Sequence, residues 1–322
     1  MRVVSALLAL AVGMSVGAAR AQKWDMPTPY SDVEFHTLNV KRFAEDVKRG
    51  TNGKLDIVVH ANGSLIKHPD ILRAVSTGQV NIAEFLLGQF GNEDPVFAAD
   101  NLPFVAAGWD TAWKFYQAQK PLLEKKLAAR GLKLLYSVAW PGQGIYSKNP
   151  LKSVDDLKGT KFRTYSPQTA RLAELLGASP TVIQVPEVPQ AFATGSINAM
   201  ITSSATGTAT KAWEFVNNYY MTNAFHPKNV VCVNARAFQQ LPEDVRKALL
   251  AAAAEAETRG WAFGKQREQS ANKELAANGM KLHEPDAAMK AAFRKVGDTM
   301  LAEWQKSAGA DGDAIIKAYR GK

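Results

Sequence analysis

The sequence predicts an α/β protein of two lobes, with one long helix running across both. Three observations carry this reading. Helical and strand periodicities alternate through the first half of the chain. At 322 residues the chain exceeds what one core usually holds, typically ~100–150 residues. From residue 242 to 278 it is rich in Ala, Glu, Lys, Arg and Leu, with Pro242 at the start and Gly279 after the end. Continuous, that helix would be ~50 Å long at ~1.5 Å per residue, longer than an ordinary domain is wide. Gly260 and Gly264 weaken it without breaking it.

The N-terminus reads as a secretion leader. Met1 and Arg2 precede an apolar run over residues 3–12, and Ala19-Arg20-Ala21 fits the small-x-small pattern of a peptidase site. The run is short of the ~20 residues a membrane span needs, and no cysteine near the cleavage point offers a lipid anchor. Removing 21 of the 322 residues leaves 301, with 37 basic residues facing 30 acidic ones once Arg2 and Arg20 are gone. No later segment is long and uncharged enough to span a bilayer, so the mature chain is expected outside the membrane.

Val40, Phe43, Ala44 and Val47 recur at helical spacing through residues 34–49. Asn52-Gly53 turns the chain into a strand over 54–60. A helix over 70–77, closed by Gly78, precedes a strand over 80–87. A helix between two strands at that spacing implies a parallel βαβ crossover. Two helical stretches, 110–118 and 121–129, lead to a strand over 132–139, which Trp140-Pro141-Gly142-Gln143-Gly144 breaks; this break is the expected passage between lobes. Strands over 161–165, 181–185 and 197–202 then alternate with helices over 167–176 and 187–194. Ser153 with Asp156 makes a helix cap, closed by Gly159. A last amphipathic helix covers 286–306. Cys232, the single cysteine, sits in the apolar run Val230-Val231-Cys232-Val233 and reads as a small buried hydrophobe.

Composition and motifs exclude more than they assign. The excess of 39 Lys and Arg over 30 Asp and Glu is dispersed beside acids, as in Lys41-Arg42 with Glu45-Asp46. It is a solvated surface, and no nucleic-acid partner is expected. The five histidines show no metal spacing, so no metal is expected. Gly142-Gln143-Gly144 completes neither a dinucleotide turn nor a phosphate loop, so no cofactor is expected. No Gly-x-Ser-x-Gly elbow occurs. Asp155-Asp156 and Glu243-Asp244 stand at helix starts, where acids complement the dipole. No catalytic residue is assigned, and the chain is expected not to be an enzyme.

Alternation along residues 161–165 places Lys161, Arg163 and Tyr165 on one face of a strand and Phe162 on the other. With Phe162 in a core, Arg163 can project into a cleft, where its guanidinium offers a carboxylate two parallel donors.

The runs Thr51-Asn52-Gly53-Lys54-Leu55, Gly63-Ser64-Leu65 and Ala74-Val75-Ser76-Thr77-Gly78 resemble the solute-binding proteins of TRAP transporters, of the DctP type. So do Leu102-Pro103-Phe104, the stretch from Ser153 through Asp156-Leu157-Lys158-Gly159 to Arg163, Leu176-Gly177-Ala178-Ser179-Pro180, Glu187-Val188 and Ala191-Phe192-Ala193-Thr194-Gly195. They occur in family order over essentially the whole mature chain. The resemblance implies the two-lobed periplasmic binding protein fold closing on an organic acid, and delivery to the subunits of a TRAP membrane permease. It implies that Arg163 grips the ligand carboxylate. It also implies a Gram-negative periplasmic location. The expected division is a leader at 1–21, lobe I at 22–141, lobe II at 142–228, a return to lobe I with the spanning helix at 229–265, and C-terminal helices packed on lobe II at 266–322.

Two departures from the family pattern bear on cargo. Many members carry a second arginine where this chain reads Trp140-Pro141-Gly142-Gln143-Gly144-Ile145-Tyr146. Many have Asp-Gly-Gln-Glu-Asn where this chain has Asn198-Ala199-Met200-Ile201-Thr202-Ser203-Ser204. Both point away from dicarboxylates and toward a monocarboxylate, such as a hydroxy, keto or sugar acid or pyroglutamate. Partners for that ligand beside Arg163 are Trp140, Gln143, Tyr165, Ser203 and Ser204, with Tyr30, Glu84, Phe85 and Phe225 as further candidates. Each has a structural alternative: core packing for the aromatics, a turn for the serines, an ion pair for Glu84. The alternative functions are a receptor of the same fold serving a sensor kinase, and a periplasmic hydrolase or lyase.

Overall fold

The computed structural model of the protein describes residues 21–321, so the expected leader falls outside the described residues apart from Ala21. The chain begins with a parallel βαβ unit: β1 (Gln22–Pro27), α1 (Phe35–Gly50) and β2 (Leu55–His60). α1 buries Val40, Phe43, Ala44 and Val47, and the Glu34 carboxylate caps it by accepting the Phe35 N–H. Asn52 and Gly53, with φ of 51° and 76°, make the turn into β2.

α2 (Ile71–Thr77) ends at left-handed Gly78 and leads to β3 (Ile82–Leu86). The expected parallel crossover between β2 and β3 does not form. α1 is the parallel crossover, joining β1 to β2, while β3 lies antiparallel to a strand some 145 residues later. Every β3 residue is buried, so its pattern carries no sign of its partner.

α3 (Pro95–Ala98) and α4 (Trp109–Ala128) follow. α4 is one helix where two were expected. Pro121 sits inside it at the cost of one backbone hydrogen bond, and buried Phe115, Tyr116, Leu123 and Leu127 hold the two halves in line.

β4 (Leu132–Ala139) belongs to the first lobe and β5 (Gln143–Ser147) to the second, with the crossing at Trp140–Gly142. The second lobe continues through β6 (Lys161–Thr164), α5 (Pro167–Leu175), β7 (Ser179–Val182), α6 (Val188–Ala193), β8 (Ala199–Ser203), α7 (Ser204–Ala209) and β9 (Asn218–Tyr220). β10 (Lys228–Asn234) returns to the first sheet, with Cys232 fully buried. α8 (Ala235–Gln240), α9 (Glu243–Ala277), β11 (Lys281–His283) and α10 (Ala287–Arg320) complete the chain. The sheet orders are β1-β2, β3-β10-β4 and β11-β9-β5-β8-β6-β7.

α9 packs on α1 and β4 with its first part and on α7 and β11 with its last. Its glycines permit the approach: a Cβ on Gly260 would lie 2.3 Å from a Val138 methyl, and one on Gly264 would lie 3.0 Å from the Ala139 carbonyl oxygen. Arg259 ties α9 to α1 through Asp46 and Asn39, each at 2.9 Å. α10 runs beyond the expected end, with non-helical Gly309 inside it. The expectation that the C-terminal helices pack on lobe II needs correcting for α10. α10 lies chiefly on α4 and α3 of lobe I and only then on α5, because its apolar face includes Trp304, whose indole N–H reaches the Pro95 carbonyl at 2.7 Å. No helix among the described residues is long and apolar enough to cross a membrane.

Candidate functional site

Between the lobes lies a cavity lined from both sides. Lobe I contributes Tyr30, His68, Leu86, Trp140 and Pro227; lobe II contributes Gln143, Arg163, Tyr165, Gln184, Val185, Thr202 and Thr206.

Among the described residues Arg163 is its only permanent cation. β6 is flanked by β7 and β8, with Arg163 opposite Thr181 and Met200, and Phe162 is wholly buried. Arg163 is 1 % exposed. Its Nε donates to the Ile183 carbonyl at 2.9 Å and Nη1 to the Ile201 carbonyl at 3.3 Å, which fixes the plane of the group. Nη2 has no partner. No carboxylate among the described residues compensates the charge, and burial draws its pKa down to about 10, still protonated at neutral pH. A fixed, buried cation with an unpaired donor is a receptor for an anion.

Neutral groups complete the lining. The Tyr165 hydroxyl donates to Gln143 Oε1 at 2.9 Å, and Gln143 Nε2 donates to the Pro141 carbonyl at 2.9 Å, leaving one amide N–H free. Tyr30 and Trp140 pack edge to face at 4.9 Å. Both donate to Asn229 Oδ1, at 3.2 Å and 2.9 Å. His68 accepts the Leu86 N–H at Nε2, 3.2 Å, and meets Gln184 Oε1 through Nδ1 at 2.9 Å. Burial holds the imidazole pKa down to about 4, so it is neutral at pH 7.

The structure thus brings together Arg163, Trp140, Gln143, Tyr165 and Tyr30 of the sequence-derived candidates. The other five stand elsewhere. Glu84 accepts from the Thr28 hydroxyl at 2.5 Å and faces His36 at 3.4 Å. Phe85 points to the opposite side of β3, against Phe90. Phe225 is core, beside the buried Lys228–Asp100 pair. Ser203 caps α7 by accepting the Thr206 N–H, and Ser204 is buried in its first turn. Strand ends look alike in sequence, and only the fold says which end faces the cleft. Sequence reading did not name His68, Gln184, Val185, Thr202, Thr206, Leu86 and Pro227 as site residues, although Thr202 stands in the hydroxyl-bearing segment it singled out. A signal existed for Gln184 and Val185, which follow a strand of a parallel pair, where ligands bind in α/β sheets. Among the described residues no group of three or more His, Cys, Asp or Glu could hold a metal.

Two lobes around a buried cavity with one unpaired guanidinium define a solute-binding protein for a small anion. The chain belongs to the DctP family, bacterial extracellular solute-binding proteins of family 7, whose model matches residues 29–307. It is similar to a Bordetella pertussis extracytoplasmic solute receptor binding pyroglutamic acid, at 48% identity and TM-score 0.92, covering 94% of this chain and 100% of that one. A marine metagenome TRAP solute-binding protein specific for pyroglutamate gives 39% identity and TM-score 0.92, with 94% and 99% covered. The C4-dicarboxylate-binding periplasmic protein of Rhodobacter capsulatus is 30% identical over 287 residues, 86% of this chain and 84% of that one.

Proposed function

We propose that the protein captures a small monocarboxylate, pyroglutamate foremost, and hands it to a TRAP membrane permease from the periplasm, without transforming it. The observation that carries this is Arg163: its Nη2 is unpaired at 1 % exposure, and its side chain is already oriented by two carbonyls. One carboxylate oxygen of a ligand would satisfy it and neutralise the site. A second carboxylate would find no second cation in the lining, since His68 is neutral, which argues against dicarboxylates. Pyroglutamate adds a flat ring, suited to the Tyr30–Trp140 walls, and a lactam whose carbonyl and N–H suit Gln143 and the hydroxyls of Tyr165 and Thr202. The similarity at 48% and 39% identity to pyroglutamate-binding receptors supports the same choice. The carrier role is supported by membership of a solute-binding family.

A thermal-shift panel of organic acids tests this, since a ligand bound only by the folded state raises the melting temperature by mass action. Pyroglutamate should give the largest shift and succinate little. Mass spectrometry of the ligand before and after incubation should show it unchanged; turnover would contradict the carrier reading.

A further inference from the structure

His68 and Gln184 lie at one end of the cavity, on opposite lobes. His68 opens the single 3-10 turn before α2, and Gln184 follows β7 by two residues. The Leu86 N–H occupies His68 Nε2, so the ring proton sits on Nδ1 and donates to Gln184 Oε1 at 2.9 Å. Beyond this contact lies a second, outer interlobe space, bordered by Asn62, Lys67 and Glu187 among others. Tyr30, His68, Gln184 and Val185 line both spaces, so they form a partition one side chain thick.

We propose that the His68–Gln184 pair is the end wall of the ligand cavity, excluding longer carboxylates and holding the bound one against escape into the outer cleft. The proposal rests on the reading that the cavity takes a monocarboxylate. It follows from three features: the pair spans the lobes, it separates the two spaces, and His68 is braced from behind by the main chain of Leu86. Gln184 is only half-buried and sits in a loop, so truncating it spares the core.

The experiment compares the wild type with Gln184→Ala and His68→Ala, using L-pyroglutamate and L-pyroglutamyl-glycine, a monocarboxylate one residue longer. In stopped-flow fluorescence Gln184→Ala should release pyroglutamate at least tenfold faster, with association changed less than threefold. It should also gain measurable binding of pyroglutamyl-glycine, which the wild type refuses. Wild-type release rates and continued refusal in both variants would overturn the proposal. Failure of the wild type to bind pyroglutamate would instead count against the cargo reading, and the wall is then decided without a ligand. In Thr202→Cys the lining position is labelled by a small thiol reagent, with buried Cys232 silent. Gln184→Ala should speed that labelling several-fold, and an unchanged rate would overturn the wall.

Discussion

The guanidinium of Arg163 lies over the ring of Tyr165, its central carbon 5.2 Å from the ring centroid. The ring face supplies weak electrostatic support to a buried cation that no acid among the described residues neutralises. Tyr165 in turn donates its hydroxyl to Gln143, so the two lining residues on β6 and its end orient a third at the start of β5. The second lobe therefore carries the anion grip, and the first lobe supplies mostly aromatic and aliphatic wall.

An unpaired buried charge costs stability when no ligand is present. Arg163→Met should raise the melting temperature of the ligand-free protein, by an amount equivalent to ~1–4 kcal/mol. The same variant should lose the stabilisation that pyroglutamate gives the wild type. Differential scanning calorimetry with and without ligand reads both effects. A destabilised ligand-free variant would mean that Arg163 is held by interactions that outweigh its desolvation.

Asn229 fixes two walls at once. Its Oδ1 accepts from the Tyr30 hydroxyl and the Trp140 indole, and both donors are buried. Asn229→Leu keeps the branched shape, with bulkier methyl groups, but leaves two donors unpaired, at ~1–3 kcal/mol each. Urea denaturation should show that loss, and pyroglutamate affinity should fall with it. Unchanged stability would mean that the two donors find other acceptors.

Two buried groups pull the pH dependence of stability in opposite directions. Glu34, at the α1 cap, has its pKa raised to about 7 by burial, against an ordinary value of 4.5. The folded state therefore holds the proton more tightly, and this contribution is present below pH 4.5 and lost as pH rises through 7. His68 is held down to about 4, against 6.5, so its contribution is present above pH 6.5 and lost as pH falls through 4. The two oppose each other over nearly the same window. Glu34→Gln keeps an oxygen for the cap and removes one slope. It should be more stable than wild type above pH 7 by up to ~3 kcal/mol, and its own stability should fall visibly from pH 6.5 to 4. Parallel stability profiles for variant and wild type would contradict this.

The close seat of α9 on the interlobe crossing depends on an absent side chain. A Cβ on Gly264 would come 2.7 Å from the Trp109 ring and 3.0 Å from the Ala139 carbonyl oxygen. Gly264→Ala gains ~1 kcal/mol of helix propensity but overpacks a backbone contact at ~1–3 kcal/mol. The melting temperature should drop, and a rise would show that α9 can slide at that point.

Much of this was legible in the residues. The strands at β4 and β6, the long helix α9 and the break at Trp140-Pro141-Gly142 follow from local periodicity and turn chemistry, which act over a few residues. Arg163 stood out because the alternation of Lys161, Phe162 and Arg163 is short-range too. What failed was long-range. β3 pairs with β10, which no local pattern encodes, so the predicted β2–β3 crossover was misplaced. Phe85 and Phe225 share their character with Tyr30 and Trp140, and burial in a core and burial in a cavity wall ask for the same residue types. His68 and Gln184 meet only because two lobes close on each other, across 116 positions of sequence.

Isothermal titration of L-pyroglutamate into the wild type and Arg163→Ala bears most directly on the site. The wild type should bind one equivalent saturably, and the variant should lose ~2–5 kcal/mol, tens- to thousands-fold in affinity. Equal affinity in the two proteins, with Arg163→Ala correctly folded by circular dichroism, would contradict the assignment of Arg163 as the carboxylate grip.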